Sequence, residues 1–102
     1  MKRQINIPFN QWSKTRLKLG VKTATSRRKK YGQVGDTFIE NNTEYIIIKQ
    51  IHLPLETVTS KFWKEEGAKS PQEFKQIWES IHPKARYQPD MLVWLHLFKK
   101  VD

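Results

Sequence analysis

The chain has 102 residues, 19 Lys/Arg against 10 Asp/Glu, a formal net charge of +9 and no cysteine. A chain of this length suits one domain spanning residues 1–102, with roughly two-thirds of its unfolded surface buried in one modest core. The lack of cysteine excludes a disulfide framework and a thiolate metal site, and the longest apolar run, Met91–Phe98, is broken by His96 and far too short to span a bilayer.

The first eight residues, Met1 to Pro8, show no apolar stretch of the secretory-signal kind, so the chain reads as soluble and cytoplasmic, and a monomer is expected. Gln4–Phe9 alternates, with Ile5, Ile7 and Phe9 on one side, and predicts a short first strand that Pro8 confines to an edge or an end. Asn10 can cap a helix running to about Leu19, with Gly20 at the C′ position and Lys14, Arg16 and Lys18 suited to the solvent side or the C-terminal dipole. Lys22–Arg27, β-branched and polar, predicts an irregular strand or a loop at a sheet edge. Tyr31–Asp36 is a turn-rich connection.

Thr37–Glu40 and Thr43–Ile51 predict a hairpin, because Asn41-Asn42 tolerates the positive φ that a tight turn needs. Tyr45, Ile47 and Ile51 alternate with Ile46 and Ile48, so both faces of the second strand are apolar and the strand is expected to be central; Pro54 ends it. A helix is expected from about Thr59 to Glu66, stopped by Gly67. Ser70-Pro71-Gln72-Glu73 is a capping box with proline at the first helical position. Phe74, Ile77, Trp78 and Ile81 follow at helical spacing as a core face, and Pro83 closes that helix. Met91–Phe98 predicts a last buried strand. The order implies an α+β domain built on a curled, mainly antiparallel sheet.

Residues 1–35 carry ten of the 19 Lys/Arg and no Asp or Glu, so all the excess charge is local. A segregated excess beside Trp12 and Tyr31 points to a nucleotide or a phosphate backbone rather than to a merely solubilising surface. A membrane surface fits less well, since the segment has no broad apolar face. Within this third, Lys22, Thr23, Thr25, Ser26 and Arg27 crowd together, and the basic run Arg28, Lys29, Lys30 follows at once. A hydroxyl three positions from an amine is either an activated nucleophile or a polar grip on a ligand.

These residues resemble a family. Gly20-x-Lys22-Thr23-x-Thr25-x-Arg27, then Val34-Gly35-Asp36, then Glu65-Glu66-Gly67 and the helix from Ser70 to Trp78, look like an ASCH domain of the PUA-like superfamily over nearly the whole chain. The resemblance implies a small β-barrel flanked by helices, with a cleft lined by the Lys-Thr-x-Thr-x-Arg segment. Its members are RNA-binding proteins, proposed ribonucleases, or small amidohydrolases that deacylate N(4)-acetylcytidine. By motif position, the lysine, threonine and glutamate of those amidohydrolases fall on Lys22, Thr25 and Glu66. Ser26 stands where such enzymes often have an aliphatic residue, and Arg28–Lys30 is more basic than their pattern.

The implied reaction is hydrolysis of an N(4)-acylated cytosine nucleoside, with Lys22, Thr25 and Glu66 catalytic and Arg27, Thr23 and Ser26 binding substrate. Thr25 is then the nucleophile, Lys22 a base if burial or neighbours such as Arg27 lower its pKa, and Glu66 the proton carrier to the leaving amine. Alternatively, Lys22 and Glu66 form a salt bridge that pins loop to helix, and the lysine keeps its charge. The other reading of the basic cleft is an RNA-binding module or a ribonuclease, with Arg28, Lys29 and Lys30 on the nucleic acid. No cofactor is implied, and His52, His82 and His96 lack metal-ligand spacing and read as structural or exposed. Trp12 and Tyr31 are candidates for stacking on a base or for packing, and Tyr87 and Trp94 are equally open.

Overall fold

The computed structural model describes residues 3–101. Three helices, α1 (Gln11–Lys18), α2 (Leu55–Lys61) and α3 (Pro71–Ile81), accompany four strands, β1 (Ala24–Arg27), β2 (Thr37–Glu40), β3 (Thr43–Pro54) and β4 (Leu92–Lys100). The strands form one sheet in the order β1-β4-β3-β2, antiparallel throughout. β1 and β2 are its outer strands, and the curled sheet forms a half-barrel flanked by helices, in keeping with the small antiparallel barrel expected from the sequence. A bulge between Ile47 and Lys49 interrupts the β3–β4 register. Such bulges bend a strand and increase its twist.

Local chemistry sets most boundaries. Asn10 Oδ1 accepts from the Ser13 N–H at 2.8 Å, and α1 ends as the glycine at C′ predicts. Gly20, at φ +78°, donates to the Leu17 carbonyl while Val21 donates to that of Arg16, the paired bonds of a Schellman ending. Asn41 and Asn42 take φ 54° and 60° in the β2–β3 turn, as expected. Ser70 Oγ accepts from Glu73 N–H at 3.1 Å. The return bond of this box goes from Lys69 N–H, one residue before the cap, to Glu73 Oε1.

Two expectations fail. Gln4–Phe9 is not a strand, since it makes only one parallel bridge, Gln4 to Thr37. Its alternation still holds: Ile7 is buried and Ile5 and Phe9 are partly covered in the same cluster. Pro8 offers no donor to continue a ladder. The helix expected from Thr59 to Glu66 instead runs from Leu55 to Lys61 with Pro54 as its N-cap residue. Its first free N–H groups, on Leu55 and Glu56, donate to the carbonyls of Met91 and Pro89 in the approach to β4. Glu66 therefore sits in a run of turns after the helix, not on it.

The sheet is covered on both faces. On one, Ala24, Leu53, Val93 and Leu95 meet Leu55 and Val58 of α2 and Phe74 and Trp78 of α3. On the other, Phe38, Tyr45, Ile47 and Phe98 pack with Ile7 and Leu17 of α1. Phe98 stands edge-on to Phe38 and Tyr45, at 5.1 and 5.5 Å between centroids. β3 is internal, as expected, but its second face is only partly apolar core, because Ile48 at the bulge is 48% exposed. Among the described residues no helix is long and apolar enough to cross a membrane.

Candidate active site

A cavity of about 510 Å³ opens between α1, the edge strand β1, and α3. That size falls within the usual range for sites of small organic ligands. Its floor is set by two backbone bonds. The N–H groups of Thr23 and Ala24 both donate to the Glu65 carbonyl, at 2.7 and 2.9 Å, and so tie the start of β1 to the turn that carries Glu66. Gly67 completes the clamp at φ +95°. A Cβ there would stand 3.1 Å from the Cβ atoms of both Arg16 and Lys22, so the left-handed backbone and the tight approach together favour glycine.

Lys22 and Glu66 consequently meet out of water. Lys22 Nζ donates to Glu66 Oε1 and to the Glu66 carbonyl, each at 2.9 Å. Their side chains are 2% and 4% exposed. Burial pushes the Lys22 ammonium below its ordinary range. The Glu66 carboxylate acts in the opposite direction, and Arg27 adds to the lowering. The Trp12 ring lies 5.8 Å from the same Nζ.

Thr25 is buried and lines the cavity. Its Oγ1 accepts from Arg27 Nη1, two residues along and on the same face of β1. An oxygen that accepts from a cation keeps its own proton free to donate and is eased toward the alkoxide. Arg27 is fixed by Pro8 O at 2.7 Å and by Ser26 O at 3.1 Å, with its guanidinium 5.2 Å from the Phe9 ring centre. Behind Thr25, His96 is fully buried. Its Nε2 accepts from Tyr31 N–H at 3.0 Å, so the proton sits on Nδ1, which faces the Thr25 carbonyl at 3.2 Å. Burial lowers its pKa, in keeping with a neutral ring.

Of the residues singled out in the sequence, Lys22, Thr25, Ser26, Arg27, Arg28, Lys29 and Glu66 all line the cavity. Thr23 does not. Its neighbours Lys22 and Ala24 turn inward while its own side chain is exposed, which corrects its expected place against substrate. Lys30 is also exposed and outside the lining, with its Nζ 5.2 Å from the Trp94 ring. Trp12 and Tyr31 border the cavity. Tyr87 instead bonds Thr59 at 2.6 Å, and Trp94 stacks on His52 at 4.3 Å.

Sequence reasoning missed the α3 wall, where Phe74, Ile77, Trp78 and Ile81 line the cavity with His82. Their spacing marks an apolar face but does not say that half of it meets a hollow. His82 is lowered in pKa by burial, with Arg28 and Arg27 adding to the shift.

The clamp gives a direct test. Gly67→Ala is expected to cost about 1–3 kcal/mol through its forbidden backbone and crowded Cβ. Gly20→Ala, at φ +78° but with open space around it, is expected to cost less. Urea unfolding of the two variants checks the order, and equal losses would contradict the close approach of Gly67 to Lys22.

No protein-family model matches the sequence, and no curated protein matches it. Among solved structures, the chain is similar to an ASCH domain from Lactobacillus crispatus JV V101, with 16% identity, a TM-score of 0.66, and coverage of 97% of this chain and 79% of that one. It is also similar to a protein of Enterococcus faecalis V583 assigned to DUF984, with 21% identity, a TM-score of 0.62, and coverage of 100% of this chain and 77% of that one. At these identities the likeness concerns the fold alone. The chain therefore has an ASCH-like α+β fold, in keeping with the order of its sequence motifs.

Proposed function

We propose that the protein is an amidohydrolase that removes the acyl group from N(4)-acetylcytidine or related N(4)-acylated cytosine nucleosides. The observation that carries this reading is the buried Lys22–Glu66 pair opening onto the same cavity as the Thr25 hydroxyl. In the proposed reaction, Thr25 Oγ1 attacks the amide carbonyl and its proton passes to the Lys22 amine. Arg27 compensates the charge on the tetrahedral oxygen. The C–N bond then breaks, and the N(4) nitrogen leaves as the amine with a proton delivered through Glu66. Water cleaves the threonyl ester, which releases the carboxylate and restores the hydroxyl.

Lys22 can serve as the base only as a free amine. Its Nζ lies 2.9 Å from Glu66 Oε1, and burial lowers its pKa against the pull of that carboxylate. The motif-level resemblance to the small acylcytidine amidohydrolases supports the same three roles.

Incubation of the protein with N(4)-acetylcytidine, followed by ultraviolet absorbance, is expected to show cytidine and acetate forming. Lys22→Ala, Thr25→Ala and Glu66→Ala are each expected to abolish turnover. Thr25→Ala is the cleanest of the three, because it strands no buried charge. No turnover by the folded wild-type protein on the nucleoside or on short acetylated RNA would overturn the reading.

The pH dependence follows from the lowered pKa of Lys22. The rate rises as the ammonium loses its proton, so kcat/KM is expected to climb with pH along a limb whose midpoint lies below 10.5. Arg27 contributes to the lowering, so Arg27→Gln is expected to move that limb to higher pH as well as to reduce the rate. A limb that stays in place in Arg27→Gln would assign it to another group.

One further observation favours an RNA-borne substrate over a free nucleoside. Arg28 and Lys29 lie at the cavity lining, and Lys29 and Lys30 stand over the Tyr31 and Trp94 rings at 4.9 and 5.2 Å. A cluster of cations beside a cavity suits a phosphate backbone. Binding of single-stranded RNA is expected to weaken with salt, and its log–log slope to flatten by about 0.7 for each phosphate contact removed in Arg28→Gln, Lys29→Gln and Lys30→Gln. An unchanged slope in the triple variant would exclude that surface.

A further inference from the structure

Two buried polar atoms of residues that line the cavity, Glu66 Oε2 and Trp78 Nε1, have no hydrogen-bond partner among the described residues. Their residues are 3% and 5% exposed. Buried polar atoms are nearly always paired, and one left alone in a native fold needs a reason. These two are opposite in kind. A carboxylate oxygen only accepts, and an indole N–H only donates. Glu66 Oε1 is already held by Lys22, which leaves Oε2 unused.

Packing does not account for the indole. The α3 face needs a large apolar group at position 78, and a ring without a donor would fill that need. Trp78 is instead fixed between Phe74 and His82, with ring centroids 6.4 and 4.4 Å away. A ring held on both sides presents its N–H in one direction, which suits recognition of a rigid planar ligand. A ligand with a donor and an acceptor on one edge offers each of these atoms the partner it lacks.

We propose that Trp78 selects the base: its Nε1–H donates to an acceptor on the cytosine edge, N3 or the O2 carbonyl, while Glu66 Oε2 accepts the exocyclic N4–H. This assignment rests on the acylcytosine reading above and goes beyond it by naming the specificity residue. Cytosine offers N4–H, N3 and O2 along one edge, and acylation leaves one N4–H in place. Uracil has a carbonyl at that exocyclic position and would set an acceptor against Glu66 Oε2. Sites built around a hydrogen bond reject ligands that cannot make it far more strongly than apolar pockets reject a change of shape.

The test is calorimetric binding of cytidine, 3-deazacytidine and 2-thiocytidine to the full chain and to Trp78→Phe, which keeps the aromatic wall and removes the donor. Trp78→Phe is expected to bind cytidine about 10-fold more weakly. One of the two analogues is expected to lose a similar factor on the wild type and none on the variant. Equal cytidine affinity in both proteins, analogue losses that persist in Trp78→Phe, or no cytidine binding at all overturns the assignment. Should the variant fail to fold, the Trp78 indole N–H resonance of the wild type decides: it is expected to move downfield with cytidine, and a resonance that stays put overturns the assignment. Binding needs no turnover, so the two readings fail separately. Coupling at Trp78 without deacylation removes the hydrolase, and deacylation without coupling removes the role of Trp78.

Discussion

A lysine and a glutamate sharing a proton's length of space in the dry interior is the constraint around which this small fold is arranged. Such a pair is a poor way to gain stability, since withdrawing two charges from water costs several kcal/mol per ion before any attraction is counted. The surrounding structure is nonetheless specialised to hold it. The glycine ending of α1 turns the chain so that Lys22 enters at the cavity floor. Two N–H groups of β1 share the Glu65 carbonyl, and Gly67 removes the one side chain that would keep the turn away. Three separate local devices converge on one contact.

The rest of the molecule supplies walls and charge. β1 is an edge strand that borders the cavity, and the face it shares with His96 and Trp94 of β4 presents Thr25 and Arg27 together. His96, on the neighbouring strand, fastens the Thr25 carbonyl on one side and the Tyr31 amide on the other. That link ties the hydroxyl-bearing strand to the loop that carries the basic run. Arg27 then acts on both partners, as donor to the threonine oxygen and as a cation that disfavours the charge on Lys22. The electrostatics and the chain path are thus the same fact seen twice.

Much of this was legible in the sequence where the cause is local. Asn10, Gly20, the Asn41-Asn42 pair and Ser70 act within a few residues of themselves as their chemistry predicts, although Glu73 returns its bond to Lys69 and not to the cap itself. The start of α2 was not legible, because its first donors are satisfied by Met91 and Pro89, more than thirty residues away. Pro54 therefore reads as a strand stop when it also caps a helix. The inward phase of Lys22 over Thr23 could not be read either, since a run of mixed polar residues carries no alternation of hydrophobicity. Lys22, Thr25 and Glu66 were marked as a set by the motif resemblance alone. Nothing in composition joins positions 22 and 66. The α3 wall shows the converse case, in which a correct apolar pattern hides the fact that one side chain serves both core and cavity.

The proposed role of Lys22 as a base, and not as a permanently charged strut, is read most directly by nuclear magnetic resonance titration of its side chain labelled at Cε, which needs no substrate. A midpoint below the ordinary 10.5 is expected. A midpoint at or above that value would leave the pair as a structural salt bridge and overturn the role of Lys22 as a base.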